Sequence, residues 1–328
     1  MSTHTLVFPF SDPLPSRIDD FLLIKLPSEL KRLTESDAVS KSKLRRLLIA
    51  GVVSVNNQQV RNADRMLKKG STVIVRLDTD KFSFEKKPDD IPIDLTPNEI
   101  LFEDDSIIVI NKPAGIPTEA TMVQSRDHLH AAVQRYLLQR DDPCEDGTNP
   151  YVGLHHRLDR ETSGVILFTK TRTANPAVHK MFLEHLAKKN YHALVLRPQQ
   201  LPKKTFYVDN ELARISPKSA QAKWGAVKQG GEHAHTDFHL LEEYRNGLCV
   251  LAIPQTGRTH QIRVHLASVD MPLIGDALYG VPIKIGNYLC PRIMLHALSL
   301  TFPHPVDGHE MTVSAPIPAD FSACKKEL

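Results

Sequence analysis

Apolar positions at helical spacing recur in residues 17–23 and again in residues 40–50, which predicts two amphipathic helices. Short valine-rich runs follow on either side of Asn56-Asn57 and predict a hairpin, since asparagine tolerates the positive φ of a tight turn. Residues 16–80 are therefore predicted to form a small αβ domain. Residues 1–15 contain three prolines and no apolar period, so we expect a flexible tail.

The pattern changes after this first domain. Residues 81–98 are rich in proline, aspartate and lysine and lack a sustained apolar period, which is typical of a linker. Beyond them, short apolar runs of strand length alternate with segments of helical spacing. The predicted strands are 107–110, 165–168, 193–196 and 249–253, and the clearest predicted helix is 127–140. This mixture predicts an α+β domain over residues 99–328.

Composition adds little to this picture of two domains. Hydrophobic residues make up 41% of the 328 positions and charged residues 24%, as in ordinary globular proteins. The four cysteines are far apart in sequence and predict neither a disulfide framework nor a cysteine-based zinc site. No apolar run is long enough to span a membrane, and the N-terminus lacks the features of a signal peptide. We therefore expect a cytoplasmic protein that does not contact membranes.

Positive charge is concentrated in one segment of the first domain. Residues 41–69 contain eight lysines and arginines against the single acidic residue Asp64, a net charge of +7. The rest of the chain has 33 basic and 37 acidic residues, so its net charge is −4. Such local clustering indicates contact with a polyanion, although a basic run is also common on a solvated helix face.

The sequence gives no indication of a metal or a nucleotide cofactor. The pairs His128/His130 and His233/His235 have no acidic or cysteine partner at a recognised ligand spacing. Neither the phosphate-binding loop motif nor the dinucleotide-binding glycine motif is present. We therefore expect the protein to work without a cofactor.

The segment with the clearest chemistry is His155–Gly164, which reads HHRLDRETSG and is followed directly by an apolar strand. Its central carboxylate, Asp159, is flanked by arginines, which favour the charged form that a nucleophile or a general base needs. Taken alone, an R-x-D-R string fits an ordinary surface salt-bridge loop better than a catalytic one.

The whole string, however, resembles the HRLDxxTSG signature of the RluA-type pseudouridine synthases. Further family-like motifs follow the family's order along residues 99–305. They are N-K-P-x-G at 111–115, K-x-Y-x-A at 189–193, G-R-T-H-Q-I-R-x-H at 257–265, G-D-x-x-Y-G at 275–280 and L-H-A at 295–297. The resemblance implies a mixed, largely antiparallel sheet with flanking helices. It also implies an isomerase that converts uridine in RNA to pseudouridine.

The same resemblance implies roles for individual residues. Asp159 matches the catalytic aspartate, Tyr191 an active-site tyrosine that stacks near the target base and can act as a base, and Arg263 the arginine paired with the aspartate. Arg157 matches the residue that enters the RNA stack when the uridine is flipped out. We further predict that Lys112, Arg258 and Leu295 contact the substrate. Where the family often has a histidine after the N-K-P-x-G motif, this chain has Glu119.

The first domain resembles the RNA-binding module of ribosomal small-subunit protein S-four over residues 16–77. The resemblance rests on RIDDFL, on SKSKLRRLLI followed by a glycine, and on the V-x-V-N turn. Four cations crowd the start of the second predicted helix, where phosphates would relieve their repulsion. These predicted RNA-binding residues are Lys41, Lys43, Arg45 and Arg46. A second RNA-binding surface favours ribosomal RNA as the substrate, with transfer RNA next.

Two other interpretations stay open at this stage. A non-catalytic ribosome-assembly factor on the same fold would share every RNA-binding feature, but it would have no need of Asp159, Tyr191 and Arg263 together. A hydrolase that cleaves the same glycosidic bond would release free uracil. The sequence indicates no obligate protein partner, and we expect a monomer.

Overall fold

The computed structural model describes residues 3–33, 44, 47–48, 51–60, 62–78, 93–120, 127–140, 150–217, 222–280, 284–285 and 288–328. The chain divides into two compact units, residues 1–88 and 89–328, and the division lies inside the predicted linker.

The helices are α1 (Ile18–Leu33), α2 (Leu129–Arg140), α3 (Asn175–Leu183), α4 (Gln261–Ser268) and α5 (Ala319–Lys326), with short 3-10 helices at Pro97–Glu99 and Arg172–Ala174. In the first unit the strands are β1 (Thr3–Pro9), β2 (Ser16–Arg17), β3 (Val53–Val55), β4 (Gln58–Gln59), β5 (Met66–Leu67) and β6 (Thr72–Asp78). In the second unit they are β7 (Ile100–Glu103), β8 (Ile107–Lys112), β9 (Gly153–Leu154), β10 (Ser163–Thr169), β11 (Lys188–Leu196), β12 (Thr205–Arg214), β13 (Trp224–Val227), β14 (Glu232–Glu243), β15 (Gly247–Pro254), β16 (Lys284–Ile285), β17 (Tyr288–Leu289), β18 (Leu295–Pro303) and β19 (Glu310–Ser314).

The first unit packs helices on a four-stranded antiparallel sheet of order β1-β6-β3-β4. Leu44 and Leu48 are helical and fully buried in the same core as α1, as their predicted shared face requires. Asn56 and Asn57 both have positive φ, 47° and 65°, and join β3 to β4. The predicted hairpin is therefore confirmed.

The flexible tail predicted for residues 1–15 is wrong over most of its length. Residues 3–9 form β1, which pairs with β6 along its whole length. Phe8 and Phe10 alternate with polar or exposed positions and pack edge-on against Phe21 at centroid distances of 6.4 and 5.3 Å. The burial of two aromatic rings outweighs the local disorder that prolines suggest, because each ring removes a large apolar area from water.

The second unit is built on one large mixed sheet, in the order β13-β12-β14-β15-β11-β18-β10-β8-β7, with β19 on β18 and β9 on β10. Among the described pairs of this sheet, only β10 and β18 run parallel. The prediction of a mixed, largely antiparallel sheet with flanking helices is confirmed. The four predicted strands lie within β8, β10, β11 and β15, and the predicted helix contains α2.

The end of the predicted linker belongs to the second unit. Ile93 and Leu95 are buried in its main core, and Thr96 caps the 3-10 helix that starts at Pro97. Arg135 of α2 donates a hydrogen bond to the Ile93 carbonyl at 2.8 Å. Two alternating apolar residues are too few to indicate a core segment in the sequence, which is why the predicted linker extends over residues 93–98.

Strand β10 directly follows the predicted catalytic loop and lies between β18 and β8 in the sheet. All seven of its residues are buried, with Ile166 and Phe168 in one core and Val165 and Leu167 in another. Gly164 has φ +114°, and a Cβ built on it would lie 2.1 Å from the Ala297 carbonyl oxygen of β18. A glycine at this position is what lets the two parallel strands approach each other.

Three of the four cysteines are buried free thiols, and Cys290 and Cys324 lie 3.3 Å apart between sulfur atoms. In the part of the chain that the structure describes, no helix is both long enough and apolar enough to cross a membrane.

Candidate active site

The loop that carries Asp159 joins β9 to β10 and is held on both sides of the aspartate. On one side, the Thr118 hydroxyl donates to the Leu158 carbonyl at 2.8 Å and accepts from the Leu158 amide at 3.2 Å. On the other, Arg160 exchanges two hydrogen bonds with Gly115, one from the Gly115 amide at 2.8 Å and one from its own Nε at 2.7 Å. The N-K-P-x-G segment therefore fixes the backbone on which Asp159 stands.

Lys112 has a structural place in this arrangement rather than the predicted contact with substrate. Its side chain is fully buried, and Nζ donates to the carbonyls of Pro113, Ile116 and Arg160 at 2.9, 2.8 and 3.0 Å. An ammonium group has three donors, so the three carbonyls satisfy it completely. Burial lowers the pKa of Lys112 to about 7. The sequence could not separate a lysine under the loop from one facing the pocket.

Asp159 receives its positive partner from a distant helix. Arg263 of α4 donates from Nη1 to Asp159 Oδ2 at 3.0 Å, and it donates from Nε and Nη2 to both oxygens of Asp276 at 2.8 and 3.0 Å. The predicted pairing of Asp159 with Arg263 is thus present. The two sequence neighbours that were expected to flank the carboxylate point elsewhere, Arg157 to Glu119 and Arg160 to Gly115.

Arg263 is held so firmly because Asp276 is fully buried and accepts two further hydrogen bonds, from the amides of Leu278 and Tyr279 at 3.0 and 3.2 Å. Burial alone would lower the pKa of the Arg263 guanidinium, but its bonds to Asp276 and the charges of Asp276 and Asp159 raise it. Arg263 therefore stays charged. The ring of Tyr279 also lies beneath the guanidinium, 5.0 Å from ring centroid to Cζ.

A second contact to Asp159 comes from His260, which precedes α4 with a left-handed φ of 58°. The Tyr279 hydroxyl accepts from the Trp224 amide at 2.8 Å and lies 2.8 Å from His260 Nδ1. The other ring nitrogen of His260, Nε2, lies 3.9 Å from Asp159 Oδ2. Burial is the main cause of the lowered pKa of His260, which keeps the ring neutral at pH 7.

Tyr191 lies on β11 and is buried in the main core with one edge on the pocket. Burial and then the charge of Asp159 raise the pKa of its phenol. Its hydroxyl therefore stays protonated at neutral pH, which suits a stacking ring or a hydrogen-bond donor better than the base that the sequence comparison suggested.

These groups meet in a pocket of about 670 Å³ that lies wholly within the second unit. The predicted residues that line it are Arg157, Asp159, Tyr191, Arg258, Arg263 and Leu295. Arg157 is at the rim, with 59% of its side chain exposed, and donates to Glu119 at 2.5 Å. Glu119, which departs from the family pattern, thus holds the residue predicted to enter the RNA stack.

The other predicted residues have mixed outcomes. Arg258 donates to Glu232 at 2.8 Å and to the His233 carbonyl at 3.0 Å, and Leu295 is a buried part of the pocket wall. The predicted RNA-binding residues Lys41, Lys43, Arg45 and Arg46 lie outside the described residues. One group in the described part of the chain has a geometry suited to a metal ion, namely His304, Asp307 and His309, and it does not line the pocket.

Sequence reasoning missed the residues that position the site. Gln261 is buried and bonds to Thr256, to the Arg258 amide and to the carbonyl of His235, so it fixes the loop before α4. In the sequence, Asp276 and Tyr279 are only two positions of the G-D-x-x-Y-G motif. An aspartate between apolar residues and a glycine, far from any basic neighbour in sequence, was the available signal that a distant cation pairs with it.

The sequence is similar to known proteins of one family. A family model described as RNA pseudouridylate synthase matches residues 106–268. An uncharacterised RNA pseudouridine synthase of Aquifex aeolicus is 32% identical over 94% of this chain and 96% of its own length. The ribosomal large subunit pseudouridine synthase C of Buchnera aphidicola (from Acyrthosiphon pisum) is 30% identical over 97% of this chain and 95% of its own. The synthase D of Zymomonas mobilis is 30% identical over 88% and 90%.

The fold also matches a solved structure. Human RNA pseudouridylate synthase domain containing 4 superposes with a TM-score of 0.56 at 24% sequence identity, over 70% of this chain and 92% of that one. At this identity the match supports the fold only.

Proposed function

The chain belongs to the RNA pseudouridylate synthase family and is an RNA pseudouridine synthase, an isomerase, and we propose that its substrate is a uridine in ribosomal RNA. Two similar proteins, of Buchnera aphidicola and Zymomonas mobilis, carry the name ribosomal large subunit pseudouridine synthase, C in one case and D in the other. Transfer RNA is the second candidate, and it rests only on the general chemistry of the site.

The proposed mechanism rests on the hydrogen bonding of Asp159, whose two carboxylate oxygens differ. One carboxylate oxygen, Oδ2, is held at 3.0 Å by an arginine that is itself fixed by a buried aspartate. The other oxygen, Oδ1, accepts no hydrogen bond from any described residue, and Asp159 lines the pocket. A carboxylate with one fixed and one available oxygen is oriented toward a substrate atom before the substrate arrives.

The reaction moves the ribose from one atom of uracil to another. The bond between N1 of uracil and C1′ of ribose breaks, a bond between C5 and C1′ forms, and the C5 proton leaves while N1 gains one. No atom is lost, so the pocket has only to hold the detached base while it turns. We propose Asp159 as the reacting carboxylate, as nucleophile or as base, and Arg263 as the residue that keeps it charged and aimed.

The target base must leave its stack in the RNA before it can enter this pocket. We propose that Tyr191 forms the surface on which the base stacks, because its ring lies at the pocket wall and its hydroxyl stays protonated. We propose that Arg157, released from Glu119, fills the gap left in the RNA, since a planar guanidinium can stack on bases.

We also propose that residues 16–80 form a second RNA-binding surface through the basic cluster of residues 41–46. The support is the charge of +7 over residues 41–69 and the resemblance of this region to a ribosomal protein module. Action as a monomer in the cytoplasm is part of the same proposal. A ribosomal substrate supports the location.

The test is to incubate unmodified ribosomal RNA with the wild-type protein and with Asp159→Asn, and to map pseudouridine by chemical labelling and mass spectrometry. We expect new pseudouridine with the wild type alone, at one or a few sites. Modification of transfer RNA but not ribosomal RNA would overturn the substrate assignment. Free uracil as the product would point to a hydrolase, and tight RNA binding without any product would point to an assembly factor.

A further inference from the structure

The cations that line the pocket differ in one respect. The three arginines each hold a carboxylate within hydrogen-bond distance, in the pairs Arg157–Glu119, Arg258–Glu232 and Arg263–Asp159. Lys189, at the start of β11, also lines the pocket but makes no ion pair with any described residue. Among the described residues, therefore, no carboxylate pairs with the charge of Lys189.

The surroundings of the Lys189 ammonium are neutral. Its one hydrogen bond in the described structure is a long one, 3.4 Å from Nζ to the Thr256 carbonyl, and a Cβ built on Gly257 would lie 3.7 Å from Nζ. The nearby ring of His156 accepts from the Leu167 amide, and burial followed by the charge of Lys189 lowers its pKa to about 3. At least two of the three ammonium donors thus have no partner in the described residues.

An unpaired cation in an enclosed place is costly, because it has lost water without gaining a counter-charge. The effect is visible in Lys189, since burial lowers its pKa to about 8, which still leaves it mostly protonated at pH 7. A site of this kind is completed by an anionic group of the ligand. In RNA at neutral pH the anionic group is the phosphodiester.

Building on the proposed function, we propose that Lys189 binds a backbone phosphate of the RNA beside the target uridine. Lys189 and Tyr191 are two residues apart on β11, which puts both on one face of the strand, on the order of 7 Å apart. If the uracil stacks at Tyr191, that distance is comparable to the reach from the base to the phosphates on either side of its ribose. Lys189 then holds the flipped nucleotide and does not react with it.

The test combines a change in the protein with a change in the RNA. Lys189→Met removes the charge and keeps the length of the side chain, Lys189→Arg keeps the charge, and Lys188→Met is the matched control on the exposed neighbour. The RNA is a fragment carrying the uridine that the wild type modifies, with one uncharged methylphosphonate at the phosphate 5′ or 3′ of that uridine. Dissociation constants and single-turnover rates are measured for every combination.

We expect Lys189→Met to bind the unmodified fragment about ten-fold or more weakly, the usual size of a charge-assisted hydrogen bond. One of the two methylphosphonates should weaken the wild type by a similar factor and should not weaken Lys189→Met further. Lys188→Met should bind like the wild type, and Lys189→Arg should recover most of the affinity. Wild-type affinity should also fall as the pH rises through about 8, and that of Lys189→Arg should not.

Three results would overturn the inference. The first is wild-type affinity together with a wild-type rate in Lys189→Met. The second is that each methylphosphonate weakens the affinity of Lys189→Met by the same factor as that of the wild type, which would mean that the two changes act independently. The third is a lower rate with unchanged affinity, which would place Lys189 at the base instead. In each case the wild type still makes pseudouridine, whereas a wild type that makes none in any RNA removes the proposed function and this inference together.

Discussion

Replacing Asp276 by asparagine should slow the reaction although Asp276 does not line the pocket. The carboxylate accepts four hydrogen bonds, two from Arg263 and two from the amides of Leu278 and Tyr279. An asparagine can keep its oxygen on the two amides, but its NH₂ group then meets Arg263 Nε, 2.8 Å away, donor against donor. Arg263 would turn toward Asp159 and lose the position from which it aims that carboxylate.

The size of the effect follows from these contacts. Breaking a buried ion pair costs about 3–5 kcal/mol in unfolding free energy, and the remaining bond to Asp159 places this variant near the lower value. A misplacement of about 1 Å in a reacting group can lower a rate by about 100-fold. Affinity for RNA should change little, because Asp276 is fully buried. Urea unfolding, RNA binding and single-turnover rates measure the three quantities.

Asp127 provides a matched control for this variant. It also accepts four hydrogen bonds, two from Arg135 and two from the amides of Ile93 and His128, and it does not line the pocket. Asp127→Asn should lose stability but keep its turnover under conditions where it is folded. If the folded fraction of Asp276→Asn turned over at the wild-type rate, or if Asp127→Asn slowed equally, the positioning role of Asp276 would be refuted.

Three further changes test other parts of the site. Lys112→Met removes a donor from three part-buried carbonyls, of which only that of Arg160 keeps another donor among the described residues, the Gly115 amide, and should cost about 1–3 kcal/mol of stability. Burial lowers the pKa of Lys112 from 10.5 to about 7, so the unfolded state binds more protons than the folded state between these pH values. The unfolding free energy of the wild type should therefore contain a component that rises with pH in this range. If the unfolding free energy of Lys112→Met, measured with urea, depended on pH in the same way as that of the wild type, this expectation would be wrong. Tyr191→Phe keeps the stacking ring and should lower the rate more than the affinity, whereas Tyr191→Ala should lower both. Because the pKa of Tyr191 is raised, its phenol should stay protonated between pH 6 and 9. A change of rate with pH in this range that occurs in the wild type and not in Tyr191→Phe would argue against a protonated phenol. Replacing Lys43, Arg45 and Arg46 by glutamine should weaken binding to ribosomal RNA and reduce the slope of log affinity against log salt concentration by about 2–3. Unchanged binding at every salt concentration would show that these three residues do not bind the RNA.

The residues of the family motifs were easier to predict from the sequence than the residues that position them. The motifs around Asp159 and Arg263 predicted the contact between these two side chains, because each motif can be read locally in the sequence. Their mutual geometry depends on Asp276, which lies 117 positions after Asp159 in the chain. Its pairing arises from tertiary packing, and a single sequence does not show which cation a buried aspartate meets.

The fold was predictable for a similar reason. Strands such as β10 and β15 are continuous apolar runs buried on both faces, and such runs are visible without any knowledge of their neighbours. Strand β1 was missed because its evidence is two phenylalanines whose value depends on Phe21 in α1. Lys112 was misplaced because a lysine buried among backbone carbonyls looks, in sequence, like any other lysine beside a glycine turn.

We propose that Asp159 drives the isomerisation of uridine in ribosomal RNA. Forming pseudouridine replaces the C5–H bond of uracil by a C5–C1′ bond, so each event releases one C5 hydrogen to water and no free base. The most direct measurement is tritium release from ribosomal RNA labelled at C5 of its uridines, with the wild type and with Asp159→Asn, while free uracil is followed chromatographically. We predict tritium release with the wild type, none with Asp159→Asn, and no uracil from either. Equal release by both proteins would overturn the role of Asp159, and uracil in place of tritiated water would overturn the isomerisation.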